Sequence, residues 1–332
     1  SAVTHDIFDT QMLFNSAATQ NPTFPAEQDA NGNWVKNSTA AWINHPGILL
    51  DEKNDSKDAT LNTHLRLTYD IDSHLHLSLF GAYSYYSTER AQFCPTWVWA
   101  QGNVYRGEFN GEDYLANAAL NYDNVWGKHK LDASVSGEYH QQLRTGFWVQ
   151  AKGITTNDFS YNNIGATSSR PFGGTGSSYE DPSLASLMGS VAYHFDGRYS
   201  LNATLRTDGS SMVGKDNTWG VFPSVSGTWN IHKEAFMKDV PRVTLLRLRA
   251  GHGSSGNLGG IASYTTLNTV KENGIVSING VPTVTMGTMK NTNPNLKWET
   301  RTTSNVGIDF GAWDNRLMLT AEYYYSLTTD ML

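Results

Sequence analysis

One segment of this chain has the glycine spacing of a nucleotide-binding motif, Gly251-His252-Gly253-Ser254-Ser255-Gly256. In a dinucleotide fingerprint such glycines follow a strand and bring the backbone close to a pyrophosphate at the start of a helix. The residues that follow, Asn257 to Gly260, predict a loop instead of a helix. Because the βαβ context is missing, we interpret these glycines as the point where a strand bends into a long outer loop.

Two other groups of polar side chains have residue types that bind metals. The acidic run 51–58 supplies oxygen ligands, but it lacks the glycine and closing glutamate of a calcium loop, and its lysines would repel a cation. His74 and His76 lie two residues apart on one face of a predicted strand, a spacing compatible with metal binding. We interpret the run as a solvated loop and the histidines as part of a polar strand face, and we predict no metal and no cofactor.

Catalytic chemistry has no other sequence basis. No paired carboxylates, nucleophile elbow or His-Glu-x-x-His run rises above chance in the sequence, so we predict that the protein is not an enzyme. The net charge of −7, with no basic run, argues against nucleic acid as a partner. Cys94 is the single cysteine, which excludes an intrachain disulfide and indicates an isolated loop thiol.

The aromatic side chains offer the most scope for ligand binding. They make up 12% of the chain, more than a modest core requires. Rings in the long predicted loops would stack on sugar faces or hold peptide side chains, although they would equally pack the loops against one another. The candidate substrate-binding rings are Trp97, Trp99, Tyr105, Phe109, Phe172 and Tyr179.

The elements that must position these residues are long β-strands. Leu75, Leu77 and Leu79 alternate with polar residues, and the same period of two recurs along the chain. No stretch approaches the roughly 18 to 20 consecutive apolar residues of a transmembrane helix. The predicted strands cover residues 60–70, 75–86, 112–123, 129–147, 184–196, 199–207, 218–231, 243–251, 301–311 and 316–327, with boundaries good to about 3 residues.

The connections between these strands alternate in length. Short turns contrast with long excursions at 87–111, 148–183 and 252–300, while an enlarged turn at 232–242 is predicted to hold one helical turn around Ala235 to Met237. Short turns on one rim and long loops on the other are typical of outer-membrane barrels. We therefore predict an all-β, antiparallel transmembrane β-barrel; a soluble β-sandwich remains open, because alternation also describes a half-buried sheet.

A barrel makes two further predictions about side chains. Aromatic rings near strand ends would form two girdles at the membrane boundaries, and inward polar residues would line a wet lumen. The predicted girdle residues are Tyr83, Tyr122, Trp126, Tyr199, Trp219, Trp229, Trp313 and Tyr323. The predicted lumen-lining residues are Arg206, Arg247, Arg249, Asp309, Arg316 and Glu322.

The most specific part of the sequence is the segment 206–229, which reads Arg206-Thr-Asp208-Gly209-Ser-Ser211 and then Asn217-Thr-Trp219-Gly220-Val-Phe222-Pro223-Ser224-Val-Ser226-Gly-Thr-Trp229. Three more segments agree in order: Asn21 to Pro25, Leu248 to Asn257, and Asn293 to Thr300 running into Asn305 to Gly311. Together these motifs resemble the SusC/RagA family of TonB-dependent transporters of the Bacteroidetes outer membrane, over essentially the whole chain.

The resemblance implies a barrel of roughly 22 strands with an N-terminal plug domain, of which this chain supplies about ten strands. Residues 1–59 would be an outer loop segment leading into the barrel, and residues 60–332 part of the barrel. No plug or TonB box is recognisable in this sequence. Because unpaired strand edges cannot be satisfied in hydrocarbon, we expect the rest of the wall to come from residues outside this sequence or from a second chain.

The implied function is import of a large nutrient, an oligosaccharide or a peptide, across the bacterial outer membrane. The implied partners are a SusD-like surface lipoprotein, TonB acting through the plug region, and the outer-membrane lipid. A passive porin and a soluble carbohydrate-binding β-sandwich are the alternatives. A porin needs no plug or TonB box, so the sequence upstream of Ser1 would distinguish it from a TonB-dependent transporter. Solubility without detergent would identify the sandwich.

Overall fold

The computed structural model describes residue 18 and residues 27–31, 52–98, 101–288 and 292–331. Within these residues five single-turn 3-10 helices occur, at Ser160–Asn162, Ile164–Ala166, Lys215–Asn217, Ile231–Lys233 and Ala235–Met237. The strands are β1 Lys53–Asp70, β2 Leu75–Cys94, β3 Asn103–Trp126, β4 His129–Ile154, β5 Thr167–Ser169, β6 Thr175–Glu180, β7 Ser183–Phe195, β8 Tyr199–Ser210, β9 Trp219–Asn230, β10 Val243–Asn257, β11 Val270–Ile278, β12 Val281–Thr288, β13 Glu299–Ala312 and β14 Leu317–Thr329. No helix in the described ranges has both the length and the apolar character needed to cross a membrane.

Ten of these strands form one antiparallel sheet in the order β1-β2-β3-β4-β7-β8-β9-β10-β13-β14. Each strand pairs with its neighbour in this chain order, which is an up-and-down arrangement. The short strands β5 and β6 pair with the outer part of β4, and β11 and β12 form a separate hairpin. The predicted all-β antiparallel barrel wall of about ten strands is confirmed, as is the helical turn at Ala235–Met237.

Several strands are much longer than predicted. β2 continues to Cys94, β3 begins at Asn103 and β4 continues to Ile154, so most of the predicted loop 87–111 and the start of 148–183 are strand. The pairing stays in register to the ends, with Cys94 opposite Asn103 and Asn103 opposite Lys152. The predictions were wrong here because the apolar alternation stops before the pairing does.

Three smaller predictions fail for the same reason. β1 begins at Lys53, so the described part of the acidic run is a paired strand and not a solvated loop, and residues 53–59 belong to the sheet. The glycines from Gly251 to Gly256 lie within β10 and not at a bend. Cys94 is not a loop thiol: it is the last residue of β2 and is fully buried, and this burial, with a smaller effect of Glu52, raises the pKa of its thiol to about 12.

The sheet has one apolar and one polar face. Across the apolar face the register aligns rows such as Leu77 with Leu120 and Leu120 with Val135. Val135 is 57% exposed, and the main strands belong to a single sheet instead of two packed layers. The soluble β-sandwich alternative is therefore wrong, because its apolar rows would have to pack against a second sheet.

A buried hydrophobic cluster lies on the polar face at the long-loop end of the sheet. Val213, Phe222 and Trp298 form its centre, and we call these three residues the loop cluster. The indole N–H of Trp298 donates to the carbonyl oxygen of Thr218 at 3.1 Å, and the amide of Gly214 donates to that of Leu296 at 3.0 Å. The loop cluster thus joins the segment 206–229 to the segment 293–300, two motifs that lie far apart in the sequence.

Candidate functional site

The short-turn end of the apolar face carries a continuous row of rings in contact, three of the four contacts being stacked and one tilted. Trp126 stacks on His129 with ring centroids 5.7 Å apart, and His129 lies 4.9 Å from Phe195. Phe195 stacks on Tyr199 at 6.3 Å, and Tyr199 on Trp229 at 6.4 Å. The row crosses β3, β4, β7, β8 and β9, and such a belt suits the boundary between lipid and water, where rings are half-buried and their polar atoms stay wet.

The polar atoms of two rings in this row, Tyr199 and Trp229, meet at one carboxylate that the sequence analysis did not single out. Glu234 accepts hydrogen bonds from the Tyr199 hydroxyl at 2.6 Å, the Trp229 indole at 3.0 Å and the Arg198 guanidinium at 2.9 Å. These donors, with the Tyr199 hydroxyl contributing most, hold the pKa of Glu234 below its ordinary value. Beside it, Asp196 has its pKa lowered by Lys128 and Arg198. The cluster fastens the turn at 231–242 to the β7–β8 turn.

The other boundary of the apolar face is marked by a change from apolar to charged side chains. Tyr83 and Tyr114 lie with ring centroids 5.1 Å apart, and the Tyr114 hydroxyl donates to Glu112. Further along the same face, Lys57 pairs with Glu89 at 3.7 Å. Since charges on a lipid-exposed face are costly, the outer ends of β1 to β4 extend beyond the membrane layer.

The remaining predicted girdle rings lie at the short-turn end, at the long-loop end and, for Tyr323, in the middle of a strand. Tyr122 lies near the short-turn end of β3, and Trp313 lies in the short turn before β14 and is 54% exposed. Trp219 begins β9 at the long-loop end, and Tyr323 lies on β14 with 73% exposure. Their girdle role stays a prediction.

On the polar face, four predicted lumen residues meet. Arg249 donates to Asp309 through Nε and Nη2 at 3.0 and 3.2 Å, and Arg247 lies 4.0 Å from the same carboxylate. Arg249 also lies 3.8 Å from Glu322. These charge pairs link the neighbouring strands β10, β13 and β14 along the polar face.

The other two predicted lumen residues lie apart from this group. Arg206 donates to Asp208 at 2.8 Å and to the Ser186 hydroxyl at 3.0 Å on β7 and β8. Arg316 lies in the turn before β14, where its amide donates to the carbonyl oxygen of Trp313, and not on a strand face. Whether these six residues line a transport path stays a prediction.

The structure divides the predicted substrate-binding rings. Tyr105 and Phe109 lie on the polar face of the outer part of β3, whereas Tyr179 is opposite Thr145 and shares the apolar face. Trp97 lies in the turn after β2, and Phe172 in the exposed turn between β5 and β6. Trp99 and the motif Asn21 to Pro25 lie outside the described residues.

A cavity opens on the polar face near the long-loop end of the sheet, and none of the predicted substrate-binding rings lines it. It has a volume of about 440 Å³ and lies between the wall of β4 and β7 and the segment 258–263 after β10. Gln142, Arg144 and Glu180 are among its polar lining residues, and Arg144 donates to the amide oxygen of Gln142 at 3.0 Å. Arg144 and Glu180 are directly opposite each other in the sheet.

Two rings on this face, Tyr86 and Trp148, were missed because the sequence analysis counted Tyr86 as strand and Trp148 as the first residue of a loop. A usable signal was present in the segments Gly107-Glu-Phe109-Asn-Gly111 and Gly146-Phe-Trp148. Rings and glycines two residues apart share a face of a strand. Had the strands been extended, the spacing would have indicated a polar face with rings beside glycines.

The sequence matches a family model. The model for the β-barrel of TonB dependent receptor-like proteins matches residues 3–332. Among curated proteins, the chain is similar to TonB-dependent receptor P3 of Formosa agariphila, with 31% identity over 316 residues, covering 92% of this chain and 30% of that protein. It is also similar to TonB-dependent receptor SusC of Bacteroides thetaiotaomicron, with 31% identity over 321 residues, covering 91% of this chain and 30% of that protein. The chain therefore spans about a third of the length of these relatives.

A solved structure has the same fold. The structure described as the RagAB peptide transporter superposes with a TM-score of 0.78 at 20% identity, covering 92% of this chain and 34% of that chain. At this identity the likeness concerns the fold of the barrel wall.

Proposed function

The chain belongs to the TonB dependent receptor-like β-barrel family, of SusC/RagA type and located in the outer membrane, and we propose that it forms part of the wall of a transporter that imports a large nutrient. The nutrient is an oligosaccharide or a peptide, and import is driven through TonB. The observation that supports this most is the two-faced sheet, with a lipid-type band between two aromatic boundaries on one side and charge pairs on the other.

The polar face is the side of the wall along which the nutrient would pass. The pairs Arg249–Asp309 and Arg206–Asp208 keep this face polar while holding the charges in fixed positions. Paired charges present hydrogen-bonding groups to a polar solute without a strong net field, which suits a large uncharged or zwitterionic solute. The predicted lumen residues fit this role, with Arg316 at the short-turn rim.

A SusD-like surface lipoprotein is the proposed partner at the long-loop end, and TonB is the proposed partner through a plug domain of the whole protein. Support comes from the similarity to SusC and to the RagAB transporter. The outer ends of β1 to β4 rise beyond the membrane layer, so they provide a surface outside the bilayer for such a lid.

The test uses the full-length protein in its native host. We expect loss of growth on the nutrient both in a strain lacking this protein and in a strain lacking TonB, with growth restored only when both are present. The probes are neutral hexasaccharides of defined linkage and a mixture of hexapeptides, each as the limiting nutrient. Uptake that needs this protein but continues without TonB would identify a passive porin and would sink the proposal.

A further inference from the structure

Three aromatic residues climb diagonally across the polar face at the long-loop end, one on each of three neighbouring strands. Tyr86 on β2 is directly opposite Gly111 on β3, and Phe109 on β3 is directly opposite Gly146 on β4. Trp148 on β4 is directly opposite Gly176 on β6. We call Tyr86, Phe109 and Trp148 the ring staircase, since each ring lies one strand over and two residues further out than the last.

Each ring of the staircase occupies space that a side chain on the opposite glycine would need. A Cβ placed on Gly111 would lie 2.0 Å from Cζ of Tyr86, and a Cβ on Gly176 would lie 2.3 Å from Cζ2 of Trp148. A Cβ on Gly146 would lie 2.8 Å from Cδ1 of Phe109. The rings therefore lie down across the glycine backbone instead of standing up from the sheet.

A ring in this position contacts the backbone of the sheet with one face. Its other face points away from the sheet, on the polar side. All three rings are partly exposed. Phe109 and Trp148 lie almost parallel, with planes 16° apart and centroids 6.4 Å apart. The staircase is thus an extended aromatic surface that is partly open to solvent.

Polar groups border the staircase on the cavity side. Arg144 lies between Gly111 and Glu180 in the same row of the sheet as Tyr86, and Gln142 lies next to it on the same face. Further out, the amide of Gln150 donates to Asn103 at 3.1 Å. Guanidinium, amide and carboxylate groups together both donate and accept hydrogen bonds, as sugar hydroxyls require.

We propose that the ring staircase is a carbohydrate-binding surface, on which successive sugar rings of an oligosaccharide stack while their hydroxyls bind Gln142, Arg144 and Glu180. This inference rests on the proposed import function and narrows its substrate to a glycan. Sugar rings carry a flat face of C–H groups, and a flat, open aromatic surface is complementary to such a face.

The position of the staircase within the sheet argues against an extended peptide as the ligand. Extended peptides commonly bind by adding a strand to a free sheet edge, where backbone groups are unpaired. The staircase lies within the sheet, since β2 and β3 are each paired on both sides and the outer part of β4 is paired with β3 and β6. Side chains, and not backbone groups, are what this surface offers.

The first experiment measures glycan binding by the purified full-length transporter in detergent, using isothermal titration calorimetry. The probes are hexasaccharides of glucose, xylose and mannose, and a hexapeptide mixture. We expect one of the glycans to bind, and Trp148→Ala to weaken that binding about tenfold. Phe147→Ala is the matched control, because Phe147 is the preceding residue, lies on the opposite face and is 55% exposed, so its loss should change binding less than twofold.

A second variant tests the geometry while keeping all three rings. Gly146→Ala places a Cβ 2.6 Å from Oγ of Ser178, a small side chain that can rotate, and 2.8 Å from Cδ1 of Phe109, whose ring it should lift. Glycan binding should weaken by about the same factor. Gly189→Ala is its control, because a Cβ there meets nothing within 4 Å. Heat-modifiable migration on gels verifies that each variant barrel is folded.

The outcomes separate this inference from the import proposal. Binding of none of the hexasaccharides, or glycan binding that Trp148→Ala and Gly146→Ala leave unchanged, overturns the staircase as a glycan surface. TonB-dependent uptake of the hexapeptides in that case would leave the import proposal standing. Loss of TonB dependence with staircase-dependent glycan binding intact would overturn import and keep the surface.

Discussion

The long-loop end of the sheet uses the same contact, a ring lying on a glycine, in two different ways. Phe222 of the loop cluster occupies the space over Gly256, where an added Cβ would lie 2.3 Å from its Cζ, just as Trp148 does over Gly176. Phe222 is then covered by Trp298, edge to face at 5.5 Å, and the two are only 5% and 8% exposed. Trp148 is half-buried, and in the described part of the chain no ring packs edge to face on it.

The difference lies in what the chain supplies on top of the ring. Segments 213–218 and 293–298 fold over Phe222 and are held together by the backbone hydrogen bond from Gly214 to Leu296 and by the indole hydrogen bond from Trp298 to the carbonyl oxygen of Thr218. On the other side, the segment 258–263 and the wall of β4 and β7 enclose a cavity, which is lined by Arg144 from the same row of the sheet as Tyr86. A covered ring contributes to stability through burial, whereas an uncovered ring leaves its contact surface available to a ligand.

The largest effect that this comparison predicts is for Trp298→Ala. Removing a buried aromatic side chain should lower the free energy of unfolding by about 3–5 kcal/mol, because the transfer free energy of the buried ring is lost and a cavity is left behind. Trp219→Ala is the control, since Trp219 also lies over a glycine, Gly209, but is 59% exposed. Equilibrium unfolding of the full-length barrel in urea and detergent measures both, and equal losses for the two tryptophans would erase the distinction between covered and uncovered rings.

A smaller loss is expected for Gly214→Ala in the same cluster. A Cβ at this position would lie 2.1 Å from the carbonyl oxygen of Pro294, a backbone atom that cannot rotate away. Overpacking of this kind should cost about 1–3 kcal/mol. Gly137→Ala, where the nearest atom would be 3.9 Å away, is the control. Full stability of Gly214→Ala would mean that the segment 293–298 is not held against the wall.

The sequence predicted the strand framework well and the two ring clusters poorly, for one physical reason. Alternation such as Leu75, Leu77 and Leu79 arises because one face meets lipid, so the pattern reports only the part of each strand that crosses the membrane. Beyond that layer both faces are polar or aromatic, and strand pairing continues without the pattern, as at Phe93 opposite Lys53. Trp148 lies in that region, so it was assigned to a loop.

The loop motifs could be recognised without their contacts being predictable, because the sequence of a loop says little about which residues it packs against. The segment 293–300 was recognised only by resemblance, and its contact with Phe222 required the fold. Glu234 was missed because an isolated acidic residue in a turn carries no periodic signal. Its significance comes from Tyr199 and Trp229, which only the register of β8 and β9 brings together.

Acidification should lower the stability contributed by Glu234 and its donors Arg198, Tyr199 and Trp229 at the short-turn end, but not the stability contributed by the loop cluster. Glu234 has its pKa lowered from an ordinary value of 4.5, so its stabilising effect is present above that pH and is lost as the pH falls through the lower, folded-state pKa. Val213, Phe222 and Trp298 do not titrate, so their contribution stays constant over the same range. We expect Glu234→Gln to reduce the melting temperature by a few degrees at pH 7 and to make the melting temperature less sensitive to acid below about pH 4.5.

The control for this change is Glu322→Gln, which alters a carboxylate on the polar face of β14 that is 40% exposed and lies 3.8 Å from Arg249. An exposed pair contributes little to stability, so the melting temperature should hardly move. An acid sensitivity that is the same in Glu234→Gln and in the unmodified protein would contradict the assignment to Glu234.

The smallest expected change in stability is for Trp148→Ala, the substitution that should weaken glycan binding most. The ring is half-buried and rests on backbone that a glycine already leaves bare, so its loss opens no enclosed cavity and should cost less than about 1.5 kcal/mol. The measurement is the same urea unfolding used for Trp298→Ala, with both variants in one detergent. A loss for Trp148→Ala as large as that for Trp298→Ala would mean that part of the chain outside the described residues covers the ring. The ring staircase would then be a buried cluster that stabilises the fold, as the loop cluster does, and its aromatic surface would be covered by protein instead of open to a sugar.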